Sequence, residues 1–243
     1  MKKIPYTIVV SLSFLIFSIQ FFLTFITTIL AIIFSYINWM SALRVTLVIW
    51  GMLLFVIMGK WLHVSGKGNI EKGKNYLVLV NHASLFDIPA VMAVFSRVSW
   101  LGRDYLVRIP LLGYALKMNH YVPISRDPSI GAKKIITDTI ANSGHVTIVI
   151  FPESTRTLDG RLQDFKRGFV HILKGTELDV LPVTLNGMYK LKPKNRKYIN
   201  PFVKLEMKIH KPINNNELKD KNIDEILLHT KNIIESAYAF QEG

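Results

Sequence analysis

From Ile4 to Leu43 the chain carries no charged side chain. A helix of about forty residues would reach about 60 Å, roughly twice the hydrocarbon thickness of a bilayer, so this run cannot be one straight span. The polar cluster Ser35-Tyr36-Ile37-Asn38-Trp39-Met40-Ser41 is the expected break, with Tyr36 and Trp39 suited to a membrane–water interface. A second apolar run, Val45 to Gly59, lies between Arg44 and Lys60 and is short for a full crossing unless Arg44 snorkels. A cleaved signal peptide is the competing reading. Lys2 and Lys3 would supply its basic start, but the apolar run is far too long and has no clear small-residue cleavage site. The expectation is a two-helix membrane hairpin over residues 1–62, spanning the bilayer or embedded in one leaflet. Either form returns the chain to its starting side. The basic remainder then favours an inner (cytoplasmic) membrane with the rest of the chain on the cytoplasmic side.

Residues 63–243 read as a single α/β domain. Short β-favouring runs (Tyr76–Val80, Val98–Gly102, Tyr121–Ser125, His145–Phe151, Val180–Leu185, Val203–Ile209) alternate with helical patterns at about 84–95, 111–117, 129–142 and 165–174. A long polar helix is expected over Asn216–Phe240. Such alternation implies a mixed, largely parallel sheet with helices on both faces. Pro123 suggests that its strand lies at an edge or carries a bulge. Ser65–Asn75 reads as a polar linker; it contains G-x-x-x-x-G-K, but Asn75 replaces the Ser or Thr and a strand follows, so it is not a phosphate-binding P-loop.

The net charge is +13, and there is no cysteine. A basic domain beside a membrane anchor suits an anionic lipid surface and anionic substrates. No nucleic-acid-binding motif appears. The lack of cysteine excludes disulfides, zinc–thiolate sites and a thiol nucleophile, and the histidines show no H-x-x-H or H-E-x-x-H spacing, so no metal is expected.

The chemistry concentrates at Asn81-His82-Ala83-Ser84-Leu85-Phe86-Asp87, where a buried strand turns into a helix. In open α/β sheets reactive groups collect at such strand ends. Five residues is not a same-face helical spacing, so His82 and Asp87 meet only if the turn folds the histidine back over the helix start. The pair would then be a general base whose tautomer is set by a carboxylate. The competing reading is structural: Ser84 and Asp87 stand at the spacing of a capping box. Further polar groups, Arg126 and the cluster Glu153-Ser154-Thr155-Arg156, sit at other strand ends, and Arg103 stands in the loop before the strand that Arg126 ends. Arginine forks suit a phosphomonoester.

Together these residues resemble the glycerolipid acyltransferase family, specifically its PlsC-type 1-acyl-sn-glycerol-3-phosphate acyltransferases. Asn81–Asp87 matches the N-H-x-S-x-x-D block, which contains the HX4D motif. Arg103, Tyr105-Leu106, Ile109-Pro110 and Gly113 are similar to K-x-E-L-x-x-x-P-x-x-G, and Tyr121 to Arg126 to the block ending in a phosphate-binding arginine. Phe151–Thr157 is similar to F-P-E-G-T-R-S, Phe165–Gly168 to F-K-x-G, and Leu181-Pro182-Val183 to the last block. Ser154 departs from the pattern, replacing glycine; if that position needs a positive φ, serine is strained there. The resemblance implies direct acyl transfer in phospholipid biosynthesis, lysophosphatidic acid becoming phosphatidic acid. His82 and Asp87 would be catalytic. Arg103, Arg126, Glu153, Ser154, Thr155 and Arg156 would bind substrate, the arginines holding the acceptor phosphate and Glu153 positioning the glycerol or an arginine. No cofactor is implied; the partners are a lysophospholipid, the bilayer, and acyl-CoA or acyl-carrier protein as thioester donor. The alternatives are a different lysolipid acceptor and a non-catalytic, membrane-tethered lipid-binding protein.

Overall fold

The structure is a computed structural model describing residues 6–109, 113, 116, 121–124, 147–200 and 202–240. Two apolar helices, α1 (Tyr6–Tyr36) and α2 (Met40–Ile57), are separated at 37–39, inside the expected break. Both are long and apolar enough to cross a membrane. Their burial is inverted relative to a water-soluble helix. Ser13, Gln20, Thr27 and Ser35 of α1 are buried, whereas Phe14, Phe21, Phe22 and Phe25 are exposed. Gln20 Nε2 donates to Leu54 O at 2.8 Å, and Trp50 Nε1 donates to Thr24 Oγ1 at 3.0 Å. Polar groups joining two helices while phenylalanines face outward is the arrangement that hydrocarbon surroundings favour.

Seven strands follow: β1 (Leu62–Ser65), β2 (Tyr76–Val80), β3 (Val98–Arg103), β4 (Val122–Ile124), β5 (Thr147–Ile150), β6 (Asp179–Asn186) and β7 (Leu205–Ile209). Their order is β1-β7-β6-β2-β5-β3-β4, parallel except for β6 against β7. The largely parallel sheet is as expected, and Pro123 does lie on an edge strand. β2 is central and all five of its residues are buried. Tyr76, Val78 and Val80 face one core with Phe55 and Phe86; Leu77 and Leu79 face the other with Phe169, Ile172 and Ile234. Both faces are covered, so this strand shows no polar alternation.

Two helical expectations change. The helix after β2 is shorter, α3 (Asp87–Met92), because residues 83–86 are held as a turn by the Asp87 side chain. After α4 (Gly168–Gly175) and α5 (Met188–Leu191), the expected long C-terminal helix is two, α6 (Asn215–Lys219) and α7 (Ile223–Glu235). Asn222 breaks it: its side chain accepts from Glu225 N–H and the Glu225 side chain answers the Asn222 amide, a capping box that starts a new helix. β1, not among the strands expected from the sequence, pairs with β7 along the sheet edge. The helix expected over 129–142 lies outside the described residues.

Candidate active site

The register of the central strands builds the site. β2 and β5 pair in parallel as Leu77↔Ile148, Val78↔Val149 and Leu79↔Ile150. Carrying that register past both strand ends sets His82 opposite Glu153. The His82 backbone N–H accordingly donates to Glu153 Oε1 at 2.6 Å, and Thr157 N–H donates to His82 O at 3.0 Å. One residue earlier, Asn81 is clamped to β6: its Nδ2 donates to Leu185 O at 3.0 Å and its Oδ1 accepts from Leu185 N–H at 2.7 Å. The His82 ring lies flat on Phe151, with centroids 3.9 Å apart and planes 14° apart, and Trp100 stands 5.6 Å behind Phe151.

The turn does fold His82 back over the helix start. His82 Nδ1 lies 2.8 Å from Asp87 Oδ2, and the same oxygen accepts Ala83 N–H at 2.7 Å and Ser84 N–H at 2.8 Å. Asp87 is fully buried. Its carboxylate therefore faces backward onto the turn and supplies one half of the capping box of the competing reading, to Ser84 N–H, while Ser84 Oγ takes Phe86 N–H at 3.4 Å and not Asp87 N–H, so the reciprocal half is missing. Ser84 Oγ instead donates to Lys192 O at 2.7 Å, tying the turn to the segment after α5. With Nδ1 engaged by Asp87, Nε2 is the ring nitrogen that can take a proton from a substrate. The amides of residues 82, 83 and 84 are all occupied by carboxylates, which removes them as donors to an oxyanion.

Glu153 departs from its expected place. It is 2 % exposed, and its second oxygen, Oε2, accepts Gln163 N–H at 2.8 Å. Both oxygens face backbone amides, because the β2–β5 register turns the side chain toward the His82 turn and away from solvent. Burial pushes its carboxyl up to about 7, against the two amide donors that pull it down. Ser154 has φ 62°, the left-handed conformation that glycine adopts without cost and serine does not. Thr155 is exposed and Arg156 half-buried. Arg103 ends β3, its side chain outside the described residues, and Arg126 lies outside them altogether.

His82, Ser154, Thr155 and Arg156 line one cavity of about 1180 Å³ that runs under the hairpin, where Phe17, Gln20 and Leu54 form part of its wall. Lys166 and Lys194 line it too. Lys194 was not foreseen from the sequence; the basic run Lys190-x-Lys192-x-Lys194-x-Arg196-Lys197 was the available signal. Arg196 organises that run: its guanidinium donates to the carbonyls of Lys190 and Leu191 and stacks 4.9 Å over Tyr198. Burial, then Arg156 and Arg196, lower the Lys192 ammonium below its ordinary value.

The family model described as Acyltransferase matches residues 62–186, just over half of the chain. The chain belongs to this acyltransferase family. The site residues from His82 to Lys166 fall within the match; the hairpin wall and the basic run from Lys190 to Lys197 lie outside it. A chloroplastic 1-acyl-sn-glycerol-3-phosphate acyltransferase of Arabidopsis thaliana is 30% identical over 156 residues, 63% of this chain and 43% of that one. The enzyme of that name from Cocos nucifera is 24% identical over 210 residues, 75% of this chain and 68% of the relative. The chain spans about half the length of several curated relatives that it matches. In fold it is similar to the lysophosphatidic acid acyltransferase PlsC of Thermotoga maritima, with a TM-score of 0.81, 23% identity, and coverage of 93% of this chain and 94% of that one.

Proposed function

We propose that this chain transfers a fatty acyl group from an acyl thioester to the free sn-2 hydroxyl of a 1-acylglycerol-3-phosphate, giving phosphatidic acid. The observation that carries this reading is the buried His82–Asp87 contact of 2.8 Å, with His82 lining a large cavity under an apolar hairpin. Nε2 of His82 takes the hydroxyl proton as the oxygen attacks the thioester carbonyl. The tetrahedral intermediate collapses, the C–S bond breaks, and the proton passes to the departing sulfur as free thiol. Asp87 stabilises the ring's positive charge and holds Nδ1–H toward itself. Arg103, Arg126 and Arg156 bind the acceptor phosphate, with Ser154 and Thr155 beside Arg156 on the cavity wall and Lys166 and Lys194 adding positive charge. A non-catalytic lipid-binding protein would have no use for a buried carboxylate–imidazole pair.

The hairpin, residues 1–62, anchors the α/β domain, residues 63–243, at the cytoplasmic membrane. Two observations support this placement. The outward phenylalanines of α1 need lipid. The first third of the same helix is held to the domain, by Tyr6 against Tyr198 at 5.6 Å, Ser13 Oγ accepting Ile199 N–H at 3.0 Å, and Phe17 stacked 6.5 Å from Phe86. The donor is acyl-CoA or acyl-carrier protein, used as substrate, with no cofactor.

The test is acyl transfer by the full chain in vesicles, offering lysophosphatidic acid beside other lysolipids with each donor, for wild type, His82→Ala and Arg156→Ala. His82→Ala should lose about a hundredfold or more. Arg156→Ala should raise the acceptor KM and leave the donor KM alone. Full activity in a folded His82→Ala protein sinks the mechanism. High activity only on a phosphate-free lysolipid sinks the acceptor, and the strained Ser154 then marks the second reading, a different lysolipid.

A further inference from the structure

His82 is gripped by two carboxylates, and only Asp87 touches its ring. Glu153 reaches the His82 backbone instead, and bridges it to Gln163, 71 residues before and 10 residues after in sequence, with contacts of 2.6 and 2.8 Å. Around it the chain closes on itself. Lys166 N–H donates to Pro152 O at 2.8 Å, Gln163 Nε2 donates to Thr155 O at 3.2 Å, and Ser154 N–H donates to Phe151 O at 3.0 Å. Residues 152–166 thus form a loop with Glu153 at its neck. Thr157 N–H returns from that loop to His82 O, so both backbone groups of His82 are fixed by it. Glu153 is absent from the cavity wall that its neighbours Pro152 and Ser154 line.

We propose that Glu153 is a positioning residue and not a ligand of the acceptor: by tying the His82 and Gln163 amides together it fixes the imidazole over Phe151, facing the cavity. This rests on the reading of His82 as the base. The chemistry of the bridge selects a glutamate. Two acceptor oxygens are needed, one for each N–H. Glutamine has a single acceptor oxygen, so its NH2 would face a backbone N–H. Aspartate keeps both oxygens and falls short by one C–C bond, about 1.5 Å.

Two readouts separate positioning from substrate contact, and both use the full chain in detergent micelles. The first is steady-state kinetics of Glu153→Gln with the acceptor that the wild type uses. The second is amide hydrogen exchange without any substrate, followed in the peptides holding His82 and Gln163 and, as a control, in β7. Positioning predicts a kcat about tenfold or more lower with the acceptor KM within twofold, and faster exchange at the His82 and Gln163 peptides but not in β7. Glu153→Asp, which keeps the charge, should behave alike and serves if Glu153→Gln does not fold. A tenfold rise in acceptor KM overturns the proposal, because the carboxylate then touches the acceptor. Unchanged kinetics with unchanged exchange overturns it as well. A wild type that ignores lysophosphatidic acid would instead refute the proposed acceptor, and the exchange result would still decide the role of Glu153.

Discussion

Replacing Asp87 by asparagine separates charge from geometry at His82. In most carboxylate–histidine pairs this exchange is ambiguous, because the amide can turn its NH2 toward the ring and force the wrong tautomer. Here the orientation is decided in advance. Asp87 Oδ2 accepts the N–H groups of Ala83 and Ser84 at 2.7 and 2.8 Å, so the amide oxygen must occupy that position. The NH2 then replaces Oδ1, which has no hydrogen-bond partner among the described residues. Asp87→Asn should therefore fold and keep Nδ1–H pointing at residue 87. What it loses is the negative charge beside the developing imidazolium. At an effective dielectric of about 20 and a charge separation of about 4 Å, a full pair is worth about 4 kcal/mol. With half a charge developed in the transition state, about 2 kcal/mol remains, a rate loss of about thirtyfold. The assay is single-turnover acyl transfer at saturating acceptor, with ring-nitrogen NMR of the histidine-labelled protein to read the tautomer. A loss as large as that of His82→Ala, with the tautomer unchanged, would refute the division between charge and geometry. Full activity would show that the carboxylate does not act on the ring.

Three further outcomes follow from the same geometry. Because burial raises Glu153 from 4.5 to about 7, the folded protein holds a proton that the unfolded chain releases; stability should fall as pH rises between those values and level off above. Thermal unfolding at several pH values checks this, and the slope in that window should flatten in Glu153→Gln. Ser154→Gly relieves a left-handed serine at φ 62° and should stabilise the fold by about 0.5–1 kcal/mol in denaturant titration; a loss of stability would mean that the serine side chain contributes more than its strain costs. Phe55 of α2 is 2 % exposed and packs 6.2 Å from Phe86, joining the hairpin to the domain core. Phe55→Ala should cost about 3–5 kcal/mol of stability, and a change within 1 kcal/mol would mean that the hairpin is not part of the domain's core.

The uncharged run to Leu43, the alternation of strands and helices, and the strand-end motifs were legible from residue types alone. They depend on local order: hydrophobic period, turn residues and short spacings are all properties of neighbours in the chain. So was the meeting of His82 and Asp87, since only a five-residue turn separates them. Where long-range contacts compete with local preference, the sequence was not enough. The edge strand β1 acquires its identity from β7, more than a hundred residues away. The C-terminal helix is divided by one asparagine whose capping role appears only when Glu225 turns back to it. Glu153 was the least legible residue of the site. Its motif places it beside residues expected to bind substrate, but the register of β2 on β5 aims its side chain inward at the His82 amide. A two-residue stretch can thus divide its tasks, Glu153 facing the protein and Ser154 the cavity, because strand pairing sets direction and composition does not.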